Sequence, residues 1–313
     1  EILRVLACDS YGVMELSRLF ETKQSGMSHH LKVLAAAGWV ASRREGNSIF
    51  YRRATPGSSD QLDPTLTQLQ QQLFLSLDET AISPELCARV RAIQDERAST
   101  SQQFFAENFG KFREQQDLIA SYPIYAEQVS EQIQQLASTL GPDAQALELG
   151  PGEGEFLEVL SPLFDQVIAL DNAPSMLARA EQFAREKSLA NLSFIAGDTR
   201  EALRRKLSVD CIVVNMVLHH TPSPADIFQD LSRLLKPGGR ILVTDLCRHD
   251  QSWAKEACGD LWQGFDPEDF SRWALQAGLK EGPSVYFALR NGFQVQVRQF
   301  MNDASPSDAH FPH

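Results

Sequence analysis

The residues best placed to do chemistry are Glu148-Leu149-Gly150-Pro151-Gly152-Glu153-Gly154, which follow the apolar pair Ala146-Leu147. Glycines directly after a strand let the backbone turn sharply and let a bound group approach it closely. A pyrophosphate in such a turn would rest on the free amides of the next helix. Here Glu148 precedes the glycines, and Glu153 and Glu155 enter the expected helix. Carboxylates at those positions repel pyrophosphate and suit a ligand carrying positive charge. Further along, Val167-Ile168-Ala169-Leu170 ends in Asp171, where an acid can accept hydrogen bonds from both hydroxyls of a ribose. Asn172 and Met176 follow, and two later runs end in Gly197-Asp198-Thr199 and Asn215-Met216-Val217-Leu218-His219-His220. The histidine pair is a candidate for proton transfer, with at most one ring expected in a pocket and the other packed or capping. Asp245, at the end of the next run, is expected on the same side.

These groups recur at the C-terminal ends of alternating strands and helices. Strands are predicted at 146–150, 166–171, 192–197, 209–217 and 239–246, with helices near 153–163 and over 174–187, 199–206 and 224–235. That alternation predicts an α/β fold with a doubly wound, mostly parallel sheet. Asp266-Pro267-Glu268-Asp269 starts another helix reaching Gly278, and 285–289 and 293–297 flank Asn291-Gly292 as a closing hairpin.

The ordered motifs resemble those of class I S-adenosylmethionine (SAM)-dependent methyltransferases. Glu148 to Gly154 resembles the first family motif, and Asn215 to His220 resembles the small-molecule methyltransferases of the ubiquinone/menaquinone-biosynthesis type. Leu235-Lys236-Pro237-Gly238-Gly239 is similar to the family's turn into the fifth strand. The resemblance spans about 145–300 and implies a Rossmann-like domain that binds SAM and releases S-adenosylhomocysteine (SAH). It implies that Glu148, Gly150, Gly152, Gly154, Asp171, Asn172, Met176, Asp198, Thr199 and Asn215 bind the cofactor. Met176 would lie on the adenine and Asp198 would bind its amino group. His219 and His220 become candidate catalytic residues, and Trp253, Trp262 and Tyr125 candidates for a lid.

The first 60 residues have another character. Short helices are predicted at 3–8 and 13–20, then a longer one from Lys23 in which Met27, Leu31 and Leu34 share the buried face. A hairpin of 39–44 and 48–53 turns at Glu45-Gly46-Asn47. Of His29 and His30, which point about 100° apart on a helix, one is expected to meet phosphate and the other to pack in the core. Met27 to Leu34 followed by Ala37-Gly38-Trp39-Val40 resembles the recognition helix of ArsR-type bacterial repressors, a winged helix-turn-helix family. The resemblance implies double-stranded DNA as a partner, with Gln24, Ser25, Ser28, His29 and Lys32 toward the major groove and Arg43, Arg44 and Arg52 toward phosphates.

Charge divides in the same place. Residues 1–53 carry eight Lys/Arg against five Asp/Glu, whereas the other 260 carry 21 against 36. A basic module on an acidic body is expected to be the part that meets nucleic acid. Between the two, 54–60 reads as a loop and 61–140 as helical, with Ser83-Pro84-Glu85 a clean helix start. Leu66, Leu69, Leu73, Phe74 and Leu77 form either a homodimer interface or an internal packing face. The expected organisation is therefore an α+β winged-helix domain (1–60), a helical connector (61–140), the methyltransferase domain (141–301) and a disordered tail (302–313).

Five scattered cysteines never form a Cys-x-x-Cys pair, which fits a reducing cytoplasm and argues against a disulfide framework. No metal is expected, and an arsenite acceptor is disfavoured because no thiols converge. No segment is long and apolar enough to span a membrane. The chain opens inside what reads as the end of a helix, so upstream residues are expected. Two functions follow: an enzyme that methylates an unidentified small molecule and also binds DNA, or a repressor that senses SAM and SAH without turnover.

Overall fold

The computed structural model describes all residues except 8, 46–47, 57–63 and 304–313. Cys8, the tip of the expected hairpin, part of the expected loop and most of the expected tail thus lie outside the described residues. The chain forms two compact units, Glu1–Ser99 and Thr100–His313.

The first unit contains α1 (Ile2–Val5), β1 (Tyr11–Gly12), α2 (Val13–Leu19), α3 (Gln24–Ala36), β2 (Val40–Glu45), β3 (Ser48–Arg53) and α4 (Pro64–Asp78), and it takes in the start of α5 (Pro84–Ala120). The dipeptide β1, too short for any periodic signal, joins the hairpin in an antiparallel sheet of order β1-β3-β2. Leu16, Leu19, Met27, Leu31, Tyr51, Leu86 and Ile93 make one core, so apolar positions spaced along α2 and α3 meet residues of α5. Arg97 on α5 is tied to Glu15 at 2.8 Å and 2.9 Å and to the Ser10 carbonyl at 2.9 Å. Arg53 bonds both carboxylate oxygens of Asp78, at 2.6 Å and 2.8 Å. Phe74 is buried against Trp39, whereas Leu66, Leu69 and Leu73 are exposed on α4. The expected stripe thus divides between an internal contact and an uncovered face.

The second unit continues with α6 (Tyr122–Ala137), β4 (Gln145–Leu149), α7 (Leu157–Leu160), β5 (Gln166–Asp171), α8 (Pro174–Glu186), β6 (Leu192–Ala196), α9 (Thr199–Arg204), β7 (Val209–Asn215), a 3-10 turn (Leu218–His220), α10 (Pro224–Leu234), β8 (Leu235–Leu246), α11 (Ser252–Cys258), α12 (Pro267–Gln276), β9 (Lys280–Ala288) and β10 (Gln294–Met301). Its seven-stranded sheet runs β6-β5-β4-β7-β8-β10-β9, parallel from β6 to β8 and antiparallel at β10 and β9. This is the expected Rossmann-like α/β architecture. Chain order reverses between β4 and β7, and in open α/β sheets the crevice beyond the strand ends at such a point holds the ligand.

Several elements differ from expectation. The helix expected near 153–163 shrinks to Leu157–Leu160, because Pro151, Gly152 and Gly154 suit turns better than helix. The stretch between Cys247 and Cys258, for which no helix is predicted, contains α11, which ends where Gly259 adopts φ +70°. β9 starts five residues earlier than expected. Its side chains alternate only weakly between exposed and half-buried, and it lies at the sheet edge, where Pro283 is tolerated.

Candidate functional site

At the mouth of β4 the backbone turns through Gly150 (φ +67°), Gly152 (φ +58°) and Gly154 (φ +89°), left-handed conformations that suit glycine. A side chain at Gly154 would meet the Ala180 backbone of α8 at 2.9 Å, and one at Gly150 would meet Val217 at 2.6 Å. These two glycines let the turn pack. Gly152 is different: a Cβ there would have nothing within 4 Å, so its backbone faces open space that a ligand can approach.

Glu148, on the last turn of β4 before the glycines, is buried, and Oε2 has no hydrogen-bond partner among the described residues. Burial pushes its carboxyl up to about 8, against a smaller opposing effect of the Asn215 amide on neighbouring β7. An ionisable group held in that state awaits a donor or a cation. Asp171, half-buried at the end of β5, accepts from the Ala173 amide at 2.8 Å through Oδ1. Desolvation raises its carboxyl to about 6, and the Ala173 bond pulls the other way. Asn172 is exposed and Met176 half-buried beside it at the start of α8. Glu148, Gly152, Asp171 and Asn215 therefore come from three adjacent strand ends around the switch point.

The other candidates are placed less directly. Asp198 caps α9, accepting from the Glu201 amide at 3.1 Å, and its second oxygen lies 3.6 Å from Arg200. Thr199 is buried and donates its hydroxyl to Asp230 at 2.5 Å. Glu153, invoked above for its charge toward a ligand, is paired with Arg179 on α8. Tyr125 and Trp262 are buried rather than lid-like, and Trp253 is partly exposed. Tyr122, which the sequence reading passed over, is half-buried in the field of Glu148, Glu155 and Glu158. That field adds to burial in holding its phenol protonated.

Beyond β7, Met216 takes φ +55°, an uncommon conformation for a side-chain-bearing residue, and its amide bonds Thr244 at 2.8 Å. The sharp turn delivers Leu218–His220 onto the end of β8. His219 is buried and donates from Nδ1 to Asp245 Oδ1 at 2.7 Å. Asp245 is fully buried and also accepts from the Leu218 and Leu246 amides at 2.9 Å and 2.7 Å, so it positions the turn instead of facing a substrate. The loop after α11 brings Asp260 to the same place. The amides of Leu261 and Trp262 bond the His219 carbonyl at 2.9 Å and 3.1 Å. The two imidazoles stand 4.0 Å apart, and both face Asp260. Both rings thus lie against the same carboxylate, which the loop after α11 brings up to the Leu218–His220 turn. Burial opposes charge on His219, yet Asp245 and Asp260 together raise its pKa to about 9. Burial and the charge of His219 push His220 well below its usual value, leaving it neutral.

In the first unit, Gln24, Ser25, His29 and Lys32 are exposed on α3 and Ser28 is half-exposed beside them. Arg44 on β2 is exposed, and Arg43 and Arg52 are half-buried. His30, expected as one of a core-and-phosphate pair, is exposed like His29, because Met27 and Leu31 already fill the buried face.

Comparison with known proteins bears on the second unit. The family profile described as "Methyltransferase domain" matches residues 122–281, slightly over half of the chain. A malonyl-[acyl-carrier protein] O-methyltransferase of Marinomonas sp. is 30% identical over 154 residues, 48% of this chain and 54% of the relative. A ubiquinone biosynthesis O-methyltransferase of Xanthomonas oryzae pv. oryzae is 30% identical over 116 residues, 37% of this chain and 48% of the relative. The chain thus spans about half the length of these relatives. The solved N-methyltransferase NodS of Bradyrhizobium japonicum, in complex with SAH, is 20% identical with a TM-score of 0.46, covering 62% of this chain and 98% of that one. The profile match and the strand-end geometry coincide, and the chain belongs to the methyltransferase-domain family, with a class I domain that uses SAM as its cofactor.

Proposed function

We propose that this chain methylates a small-molecule acceptor at the ends of β4, β7 and β8 and binds double-stranded DNA through its first unit. The observation carrying the first half is the cradle of Glu148, Gly152, Asp171 and Asn215. It joins a buried carboxylate oxygen that lacks a partner among the described residues to an open backbone position and a half-buried ribose-type acid. These residues fit SAM: Asp171 suits the ribose hydroxyls, Gly152 the close approach of the ligand, and Glu148 with Asn215 its cationic part. SAM supplies an electrophilic methyl group on a sulfonium, and the chain's task is alignment and exclusion of water. The acceptor is a small molecule by analogy with the ubiquinone-type motif at 215–220.

The DNA-binding half rests on α3, whose exposed face carries Gln24, Ser25, His29 and Lys32, followed by a hairpin bearing Arg43, Arg44 and Arg52. The order of helix, turn, helix and basic hairpin supports a winged helix-turn-helix of ArsR type. The exposed stripe Leu66, Leu69 and Leu73 on α4 supports a homodimer. Among the described residues no helix is long and apolar enough to cross a membrane, and the free Cys87, Cys211, Cys247 and Cys258 suit a reducing cytoplasm.

A second reading, in which SAM or SAH tunes operator affinity without turnover, is favoured by the occurrence in one chain of α3 with its basic hairpin and a cradle that fits SAM. One experiment separates them: measure binding to the chain's upstream DNA with SAM, SAH or neither, and assay SAH release with a metabolite extract. SAH release with operator affinity unmoved by either ligand supports the enzyme alone. A ligand-dependent affinity without any turnover supports the sensor. Absence of both SAM binding and DNA binding contradicts the proposal.

A further inference from the structure

The pair His219–His220 and the loop residue Asp260 form a cluster outside the cradle of Glu148, Gly152, Asp171 and Asn215. Among the described residues it is the one group of His, Cys, Asp and Glu side chains with the spacing of a metal site, its three donor atoms lying within 4.8 Å of one another. Asp260 Oδ1 is 3.5 Å from His220 Nδ1 and 3.9 Å from His219 Nε2. Bonds of about 2.1 Å in a tetrahedral arrangement place neighbouring ligand atoms about 3.4 Å apart, so two edges of the cluster are near the required size. The side chains are 3%, 10% and 0% exposed, which removes water as a competing ligand shell. His219 also has the support that metal-binding histidines receive. Its other ring nitrogen donates to Asp245 at 2.7 Å, and Asp245 is anchored by two backbone amides. Asp260 is fixed as well, because the next two amides bond the His219 carbonyl. Two buried carboxylates flank one imidazole here, a concentration of negative charge that a divalent cation would neutralise.

We propose that His219 Nε2, His220 Nδ1 and Asp260 Oδ1 bind one divalent first-row transition ion, with Asp245 orienting His219. Two imidazoles and one carboxylate suit zinc, manganese, iron(II) or cobalt, and three protein ligands leave a fourth position that the protein does not fill. The ion would sit beyond the C-terminal ends of β7 and β8. This site stands apart from SAM binding.

The test is a cobalt(II) titration of the intact, EDTA-stripped chain, followed by visible absorption and by X-ray absorption at the cobalt edge. The expected result is one equivalent bound, with two imidazoles and only nitrogen or oxygen in the first shell. Asp260→Asn and His220→Gln should weaken binding at least tenfold. Asp245→Asn should weaken it about 10- to 100-fold through orientation. Each variant is checked for folding by SAH binding. The surface variant His30→Gln should bind cobalt like the native chain. Failure of the native chain to bind a stoichiometric ion, a sulfur neighbour in its X-ray absorption spectrum, or loss of the ion in the surface variant overturns the assignment. Because no acceptor is needed and SAH binding is read separately, that failure leaves the SAM cradle intact.

Discussion

Replacing Glu148 by Gln should make the free protein more stable and a poorer binder of SAM. Glu148 is wholly buried, and burial raises its carboxyl from 4.5 to about 8. A raised acid binds its proton more tightly when folded, so its contribution to stability is fully present below pH 4.5 and is lost as pH rises toward 8. At pH 7 the unfolded chain gains by ionising and the folded chain does not, a difference of about 2.5 pH units or roughly 3 kcal/mol. A neutral amide of the same shape escapes that penalty. Glu148→Gln is therefore expected to stabilise the second unit by up to about 3 kcal/mol at pH 7 and by less than about 1 kcal/mol at pH 5. Denaturant unfolding, read on the transition that SAH shifts, measures both. Calorimetry should show SAM affinity falling tenfold or more, by about 1.4 kcal/mol, with a smaller loss for SAH, which has no sulfonium charge. Equal effects at pH 5 and pH 7, or SAM and SAH affinities that fall together, would refute the electrostatic role.

Three further outcomes follow from the geometry. Gly152→Ala should lose SAM affinity while costing only the roughly 1–2 kcal/mol of a left-handed alanine. Gly154→Ala, driven into the Ala180 backbone, should instead destabilise the unit by about 2–4 kcal/mol; SAH calorimetry and melting curves distinguish the pair. Lys32→Ala should weaken DNA binding at all sequences and reduce the slope of log affinity against log salt by about 1; an unchanged slope places Lys32 away from phosphate. Leu69→Glu, at a position 60% exposed on α4, should convert a dimer to a monomer in sedimentation while leaving unfolding within about 0.5 kcal/mol of the native chain. A native chain that sediments as a monomer removes the dimer.

Most of the second unit was legible because its signals are local. Strands such as Val167–Leu170 are continuous apolar runs, buried on both faces, and each ends in a polar residue at the cleft. The places of Glu148, Asp171 and Asn215 near strand ends could be read from sequence for that reason. The roles of Thr199 and Glu153 were not legible: their side chains turn to Asp230 and Arg179, partners set by helix packing. Asp260 carried no local signal either. It reaches the histidines because Leu261 and Trp262 bond the carbonyl of His219, 42 and 43 residues earlier in the chain. β1 escaped notice because two residues hold no period, and His30 was misplaced because Met27 and Leu31 suffice to cover the core.

The central claim is that SAM sits in the cradle closed by Asp171 and Glu148. Calorimetric titration of the intact chain with SAH, repeated with Asp171→Ala, tests it most directly. One site per chain is expected, weakening about tenfold per pH unit once the pH falls below 6 as Asp171 takes its proton, and lost in the variant. Full SAH affinity in Asp171→Ala, or no binding by the native chain, would contradict it.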